Sequence, residues 1–285
     1  MSISANRSQF VFKKTEKALL KLASTQAAEV VHGFRTASLR LQTLLEHFFP
    51  ERDRNQKKLL KMLSQIRRRA GKVRDLDVEL AALRSLKVPQ QPRRKTRLMH
   101  ALTDLRGRHE KKLRKMLTNS VIRELQKRLK RASNESHLAS GQDALKIAQG
   151  ILNQVVRPAG PLREEMLQTY RTAIKSARYA AELAPKSAEA DDFIAEVKKL
   201  QNALGNWHDW LILTEVAAKR LGDVSQSSLV ALLHNVTAGK MRTAVAAVSA
   251  SSAIQPGNAV LVATAPSRKV SAKSPTLIER IESAA

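Results

Sequence analysis

The stretch that decides the fold is Val31–Glu46, VHGFRTASLRLQTLLE, together with its counterpart Leu167–Glu182, LQTYRTAIKSARYAAE. At about 100° per residue, the apolar side chains of the first stretch share one helical face, and His32 and Arg35 lie on the other. The second stretch carries three cations at spacings of four and three residues, opposite its apolar face: Arg171, Lys175 and Arg178. Both stretches therefore predict helices with one apolar face and one cationic face.

Cations that repeat about once per helical turn form a ladder of positive charge. A linear polyanion also carries its charges at regular intervals, so a ladder of this kind matches it along its length. We expect the ladder residues to be solvent-facing, with little effect on stability when they are replaced. The two helices thus predict a binding surface for an extended polyanion.

The chain contains an internal repeat. His32 corresponds to Gln168 at an offset of 136 residues, and Asp75 corresponds to Asp209 at an offset of 134. Helical periodicity and the Pro and Gly breaks predict eight helices, at about 9–23, 26–49, 52–86, 93–132, 138–156, 161–183, 187–221 and 225–248. We expect an all-α protein of two four-helix bundles related by an approximate internal two-fold axis.

The predicted domain organisation follows from this repeat and from a change in composition near the C-terminus. A helical domain is expected over residues 1–248, with a first bundle at about 8–132 and a second at about 137–248. Residues 249–285 are rich in Ala, Ser and Pro, which is typical of a mobile tail.

Several motifs resemble those of the CHAD family, the conserved histidine α-helical domain. His32 and Arg35 are similar to the His-x-x-Arg motif that opens its basic helix. The segment 70–78, AGKVRDLDV, resembles the family's Leu-Gly-x-x-Arg-Asp-x-Asp-Val signature, and 204–209, LGNWHD, resembles its second-half counterpart. The resemblance covers about residues 8–248 and implies the paired helical arrangement.

The same resemblance implies binding of inorganic polyphosphate and recruitment to polyphosphate granules. A lone histidine on a helix is usually structural, but the resemblance makes His32 an anion ligand. The implied ligands are His32, Arg35 and Arg40 from the first half and Arg171, Lys175 and Arg178 from the second. The ladders depart from the family pattern at Leu39, Gln42, Gln168 and Ser176. The site is therefore either half a ladder from each side or centred on the basic helix 93–132.

Supporting roles are predicted for five residues of the two signature segments: Arg74, Asp75, Asp77, His208 and Asp209. Asp77 falls on an apolar stripe, so we expect it to accept hydrogen bonds from Arg74 or from a neighbouring helix. Asp75, Asp77 and Glu79 resemble a divalent-metal cluster, but residues two apart on a helix point about 200° away from each other, so we expect them not to converge on one metal ion. We expect His208 and Asp209 to form a structural pair.

The formal net charge of +26 is unevenly distributed. Residues 1–131 hold 34 Lys and Arg against 11 Asp and Glu, whereas residues 132–285 hold 17 against 14. An excess of this size attracts polyanions, so the alternative function is a nucleic-acid-associated protein that binds DNA or RNA non-specifically. Aromatic residues make up only 4% of the chain, which disfavours base stacking on single strands.

No sequence motif indicates catalysis. The chain has no Walker loop, no His-Glu-x-x-His motif and no Glu-x-Glu, the mark of the triphosphate-cleaving module that accompanies some CHAD domains. We therefore expect no enzyme activity, no cofactor and no metal site, and an enzyme acting on polyphosphate is the weakest alternative. No cysteine, signal peptide or apolar run of about 18 residues is found, so we expect a cytoplasmic protein without a membrane span.

Overall fold

The computed structural model describes residues 3, 5–49, 51–87, 92–135, 139, 141–155, 161–222 and 224–253. Within this part of the chain the regular elements are nine helices, which confirms the predicted all-α class. In chain order they are α1 (Ala5–Ser24), α2 (Ala28–His47), α3 (Arg54–Ser85), α4 (Pro92–Met116), α5 (Asn119–Asn134), α6 (Ala144–Asn153), α7 (Glu164–Ala181), α8 (Ala188–Leu221) and α9 (Ser228–Ala250).

The basic helix predicted over residues 93–132 is interrupted, and this prediction is wrong. The interruption lies at Leu117 and Thr118, between α4 and α5. Thr118 has extended backbone angles, and its hydroxyl accepts a hydrogen bond from the backbone N–H of Val121 at 3.3 Å. A side-chain cap of this kind starts a new helix, because it satisfies a backbone donor that has no partner within the helix. The apolar periodicity continues across the break, and therefore did not reveal it.

Side-chain caps and one glycine set the ends of the two longest helices. Asp53 accepts a hydrogen bond from the N–H of Gln56 at 2.6 Å where α3 begins. Ser187 accepts one from Ala190 at 3.1 Å where α8 begins. Gly222 ends α8 with φ at 86°, a backbone conformation that residues with a Cβ rarely adopt. These caps position the two signature segments within uninterrupted helices.

The helices of the two halves pack against each other. α2 contacts α7 and α3 contacts α8, and the internal repeat makes each of these pairs equivalent. Buried apolar residues from both halves form one continuous core, and a smaller cluster joins the ends of α3 and α8 to α4 and α9. The two halves thus share one interior. The two-fold relation between two four-helix bundles stays a prediction.

The predicted tail begins close to where the last helix ends. α9 continues to Ala250, and Ser251, Ser252 and Ala253 hydrogen-bond to the carboxylate of Glu196 on α8. The rest of the predicted tail, residues 254–285, lies outside the described residues. Among the described helices, none has both the length and the apolar character that crossing a membrane requires.

Candidate anion-binding site

The six predicted anion ligands lie on the two helices that meet between the halves. α2 and α7 carry three each: His32, Arg35 and Arg40, and Arg171, Lys175 and Arg178. Their charges act across the junction. Burial, followed by Arg171 and Arg35, lowers the pKa of Lys175. The charge of Arg35 on α2 therefore acts on Lys175 on α7. The structure therefore brings both ladders together, and we call the five Arg and Lys side chains together with His32 the cation cluster.

Arg171 and Lys175 are half-buried members of the cation cluster. Burial lowers the pKa of both side chains, and the pKa of Lys175 falls to about 8. The Nε atom of Arg171 is buried and has no hydrogen-bond acceptor among the described residues. The expectation that this face is solvent-exposed is wrong, because α7 packs against both α2 and α8. Asp209 and Asp75 oppose this lowering of the pKa and compensate for part of the burial. The compensation is incomplete, which is costly in the free protein.

Arg35 is held by α3 through the first signature segment. Its Nη1 donates to the carbonyl oxygen of Gly71 at 3.2 Å and to Oδ1 of Asp75 at 3.1 Å. A Cβ on Gly71 would lie 3.4 Å from that nitrogen, so the glycine allows the guanidinium to approach the backbone of α3. Asp75 follows one turn later and neutralises part of the charge. Gly71 and Asp75, one helical turn apart in the first signature segment, therefore position the guanidinium of Arg35.

Arg40 and Arg178 share one carboxylate at the far end of the cation cluster. Arg40 Nη2 lies 2.7 Å from Glu182 Oε2, and Arg178 Nε lies 3.3 Å from Oε1 without hydrogen-bond geometry. Both guanidinium groups also stand over the ring of Tyr179, at 5.5 and 5.1 Å from its centroid. Glu182 and Tyr179 hold the two arginines in place and leave one net positive charge.

His32 lies between the arginines of the two halves. The residue is exposed overall, yet partial burial of its ring lowers the pKa, and Arg74 and Arg35 lower it further. The imidazole is therefore neutral at neutral pH, and it offers an anion a hydrogen bond instead of a charge. Among the charged residues that lower this pKa, Arg74, predicted as a supporting residue, has the largest effect.

The second-half signature segment forms a different pair from the one predicted. Nδ1 of His208 lies 2.9 Å from Nε2 of Gln168, and no hydrogen bond joins His208 to Asp209 within the described residues. Burial, then Arg171, lowers the pKa of His208 to about 3, so the ring is neutral and Nδ1 accepts from the amide. Asp209 is also enclosed, and burial raises the pKa of its carboxyl. The predicted His208–Asp209 pair is wrong.

Asp77 has the structural role that its place on the apolar stripe predicts. Its Oδ1 accepts a hydrogen bond from Nε of Arg106 on α4 at 2.7 Å, and the two side chains are 10% and 20% exposed. Arg106 also bonds to Glu110 and donates to the carbonyl oxygen of Gln26 at 2.9 Å. Since Asp75 bonds to α2, the two aspartates of the segment point to different helices, as predicted.

Arg67 is a site residue that sequence reasoning missed. Its guanidinium bonds to Gln42 and to the hydroxyl of Ser38 on α2, and burial lowers its pKa. Gln42 is one of the positions where the first ladder departs from the family pattern, so α3 supplies a cation beside the place where α2 lacks one. Its position in the sequence could have indicated this role, because Arg67 lies one helical turn before Gly71 and two turns before Arg74, on the same face of α3.

Sequence reasoning considered Glu79 only as a metal ligand and did not predict its burial. Its side chain is buried at the contact of α3 with α8, and Oε2 has no hydrogen-bond partner in the described part of the chain. Burial, then Asp75, raises its pKa to about 8, so the carboxyl is mostly protonated at neutral pH. The equivalent residue of the second half is Leu213, which agrees with a largely neutral environment.

Comparisons with known proteins agree with this fold. The family model of the CHAD domain matches residues 11–218. The crystal structure of the CHAD domain from the plant Ricinus communis superposes with a TM-score of 0.62 at 16% sequence identity, covering 86% of this chain and 90% of that chain. At this identity the structural likeness shows the fold alone. No curated protein matches the sequence.

Proposed function

This chain belongs to the CHAD family, and we propose that it binds inorganic polyphosphate non-catalytically through the cation cluster. The observation that carries the proposal is the state of Arg171 and Lys175. Both are withdrawn from water beside a third cation, Arg35, and Asp209 and Asp75 offset only part of this effect. The guanidinium of Arg171 also keeps a buried Nε donor without an acceptor among the described residues. An anion that entered here would supply the missing acceptor and offset the repulsion.

The chemistry of the cation cluster suits phosphate groups. Arginine offers two parallel N–H donors to a pair of phosphate oxygens, and lysine adds a mobile positive charge. Neutral His32 would donate one further hydrogen bond at the exposed edge. Displacement of counterions from the polyanion would contribute much of the affinity, so binding should weaken as salt concentration rises.

The arrangement favours a linear chain of phosphates over single-stranded nucleic acid at this site. Among the ring contacts of the described residues, Tyr179 is the aromatic side chain that members of the cation cluster contact, and the guanidinium groups of Arg40 and Arg178 already stand over it. It is itself 5% exposed, so bases have no ring here to stack on. A chain of phosphates needs no stacking surface and can pass along the junction of α2 and α7.

Two finer inferences belong to the same proposal. The contacts of α2 with α7 and of α3 with α8 support an approximate two-fold axis through the cation cluster, so that each half supplies one side of the site. Binding without cleavage would recruit the protein to cytoplasmic polyphosphate granules. Polyphosphate incubated with the protein should release no phosphate over time, and any such release would indicate an enzyme instead.

The test is a titration of the protein with polyphosphates of graded length, beside duplex and single-stranded nucleic acid at equal phosphate concentration. Replacing Arg171 and Lys175 with Gln should remove polyphosphate binding. The control, Lys198→Gln with Lys199→Gln, removes the same charge from exposed positions of α8 and should bind as the wild type does. Equal loss of affinity in both variants would show that net charge, and not the cation cluster, determines binding.

A further inference from the structure

A groove with a volume of about 560 Å³ lies between α1, α2 and the connection from α7 to α8. Its walls are mainly apolar, and they include Phe10, Val11, Leu183, Pro185 and Ile194. Grooves of this size and character hold small ligands or a few apolar side chains of a peptide. Among the described lining residues, Arg40 is the one member of the cation cluster, so the groove is a separate candidate site.

Phe10 is the feature of this groove that calls for an occupant. Its side chain is 60% exposed, the largest exposed fraction among the large apolar residues that the structure describes. Phe12 and Leu19 of the same helix are buried in the core, whereas Phe10 lines the groove. Nζ of Lys14 stands 5.6 Å from the centroid of the Phe10 ring. An apolar occupant would therefore remove a large aromatic surface from water.

Charged side chains form the rim of the groove. Lys14 and Lys186 are exposed there, and so is Asp191. Arg7 is held by hydrogen bonds to backbone carbonyl oxygens where α7 ends. Among the described lining residues, the exposed charges are thus two cations and one carboxylate. This rim fits an occupant with an apolar centre and a small excess of negative charge.

The C-terminal sequence contains a segment with this chemistry. Residues 276–282, TLIERIE, open with the Thr-x-x-Glu pattern of a capping box. At helical spacing, three apolar residues of the segment share one face: Leu277, Ile278 and Ile281. Glu279 and Glu282 outnumber the cation Arg280, so the segment complements the rim. Residues 259–263, AVLVA, are also apolar but have no charge to pair with it.

The segment can reach the groove of its own chain. The backbone N–H of Ala253 donates to Oε1 of Glu196 on α8 at 3.0 Å, and Ile194, two residues earlier on α8, lines the groove. The chain therefore passes α8 within about one helix diameter, roughly 10–12 Å, of the groove. Residues 254–275 connect Ala253 to the segment. A flexible linker of about this length spans about 25 Å, which is sufficient and gives a high effective concentration.

We propose that residues 276–282 dock in this groove, with their apolar side chains against Phe10 and their carboxylates beside Lys14 and Lys186. The occupant is thus a segment of the same chain. Because Arg40 lines the groove, the docked segment lies beside one end of the cation cluster. The docking does not rest on the proposed function of that cluster, and its test uses no polyphosphate.

The experiment measures paramagnetic broadening of backbone amide signals in the full chain. The protein has no cysteine, so Ser283→Cys provides a single attachment point for a spin label next to the segment. The label should broaden the amide signals of Phe10 and Lys14 strongly. It should broaden the signal of Lys199 less, although this exposed residue lies on α8 close to Glu196, where the chain passes. Leu277→Asp with Ile281→Asp should abolish the broadening at the groove.

Matched variants separate the groove and the segment from general stickiness of apolar residues. Val260→Asp with Val262→Asp places the same charges in the other apolar run and should leave the broadening unchanged. Phe10→Ser should weaken it, whereas Leu20→Ser should not, because Leu20 is an exposed apolar residue of the same helix that does not line the groove.

Three outcomes would overturn the proposal. The first is broadening at Phe10 that the Leu277→Asp, Ile281→Asp variant leaves unchanged, because the segment would then not dock. The second is a loss of broadening in the Val260→Asp, Val262→Asp variant alone, which would assign the groove to the other run. The third is equal broadening in an isotope-labelled chain without the spin label, mixed with spin-labelled chains, since the occupant would then come from a second copy.

Discussion

Arg35 donates a hydrogen bond to the carbonyl oxygen of Gly71 at 3.2 Å, and the equivalent glycine of the second half has no such neighbour. A Cβ on Gly71 would lie 3.4 Å from Nη1 of Arg35, whereas a Cβ on Gly205 would meet nothing within 4 Å. The two halves share the glycine of the signature segment but use it differently. In the first half it brings a cation against α3, and in the second half the space beside it is open.

This difference predicts unequal effects of alanine at the two glycines. Gly205→Ala should raise the free energy of unfolding by up to about 1 kcal/mol, because alanine is the better residue inside a helix. Gly71→Ala should gain less, since the added methyl group crowds the guanidinium of Arg35. In a chain that also carries Arg35→Gln, Gly71→Ala should raise the free energy of unfolding by as much as Gly205→Ala does. Urea denaturation measures all three variants, and equal gains at both glycines would contradict the placement of Arg35.

The pair of Arg106 and Asp77 should be the most sensitive polar contact of the first half. Arg106→Gln should lower the free energy of unfolding by about 3 kcal/mol, because it leaves a nearly buried carboxylate without its cation. Asp77→Asn in the same chain should recover part of that loss, since the amide carries no charge. Urea denaturation of the wild type, both single variants and the double variant gives the interaction energy between Arg106 and Asp77. Strictly additive losses would show that the two side chains do not stabilise each other.

Sequence patterns predicted the helical class and most helices, because apolar periodicity records which faces are buried. They also predicted that Asp77 would accept a hydrogen bond from a neighbouring helix, whereas the role of the cation cluster as the anion site stays a prediction. They missed the break at Thr118, where a local cap interrupts an apolar pattern that continues. They also missed Arg67 and the burial of Glu79, both of which depend on the helices that pack over these residues. Periodicity along one helix carries no information about how far a second helix withdraws a charge from water.

Glu79 should make stability depend on pH. Burial raises its pKa to about 8 from an ordinary value of 4.5, so the folded state retains a proton that the unfolded chain has lost. The resulting stabilisation is complete below pH 4.5 and is lost as the pH rises through about 8, with about 1.4 kcal/mol for each unit of pKa difference. Compared with wild type, Glu79→Gln should therefore become progressively more stable across this range.

The equivalent residue Leu213 suggests a second variant for the same measurement. Glu79→Leu also removes the titrating group, so its stability relative to wild type should rise over the same pH range. Thermal melts at several pH values measure both variants. A constant difference between wild type and both variants would mean that Glu79 is ionised in the folded protein.

Arg171 and Lys175 should reduce the stability of the free protein while providing affinity for the polyanion. Replacing both with Gln should raise the melting temperature of the free protein, because two desolvated cations with incomplete partners are removed. The same change should weaken polyphosphate binding at least about a hundredfold, at roughly 1.5–3 kcal/mol for each charged contact. A lower melting temperature together with unchanged affinity would show that these cations are structural.

The pKa of Lys175 supplies an independent test of the same site. Its folded-state pKa of about 8 lies below the ordinary value of 10.5, so stability of the free protein should rise as the pH increases from about 8 to 10.5. A bound polyanion favours the charged form, so the lysine takes up a proton on binding and affinity should fall as the pH rises above about 8. Lys175→Arg keeps its charge over this range and should remove that fall. Titration calorimetry in two buffers of different ionisation enthalpy measures the proton uptake, and identical pH profiles for wild type and Lys175→Arg would exclude contact between Lys175 and the polyanion.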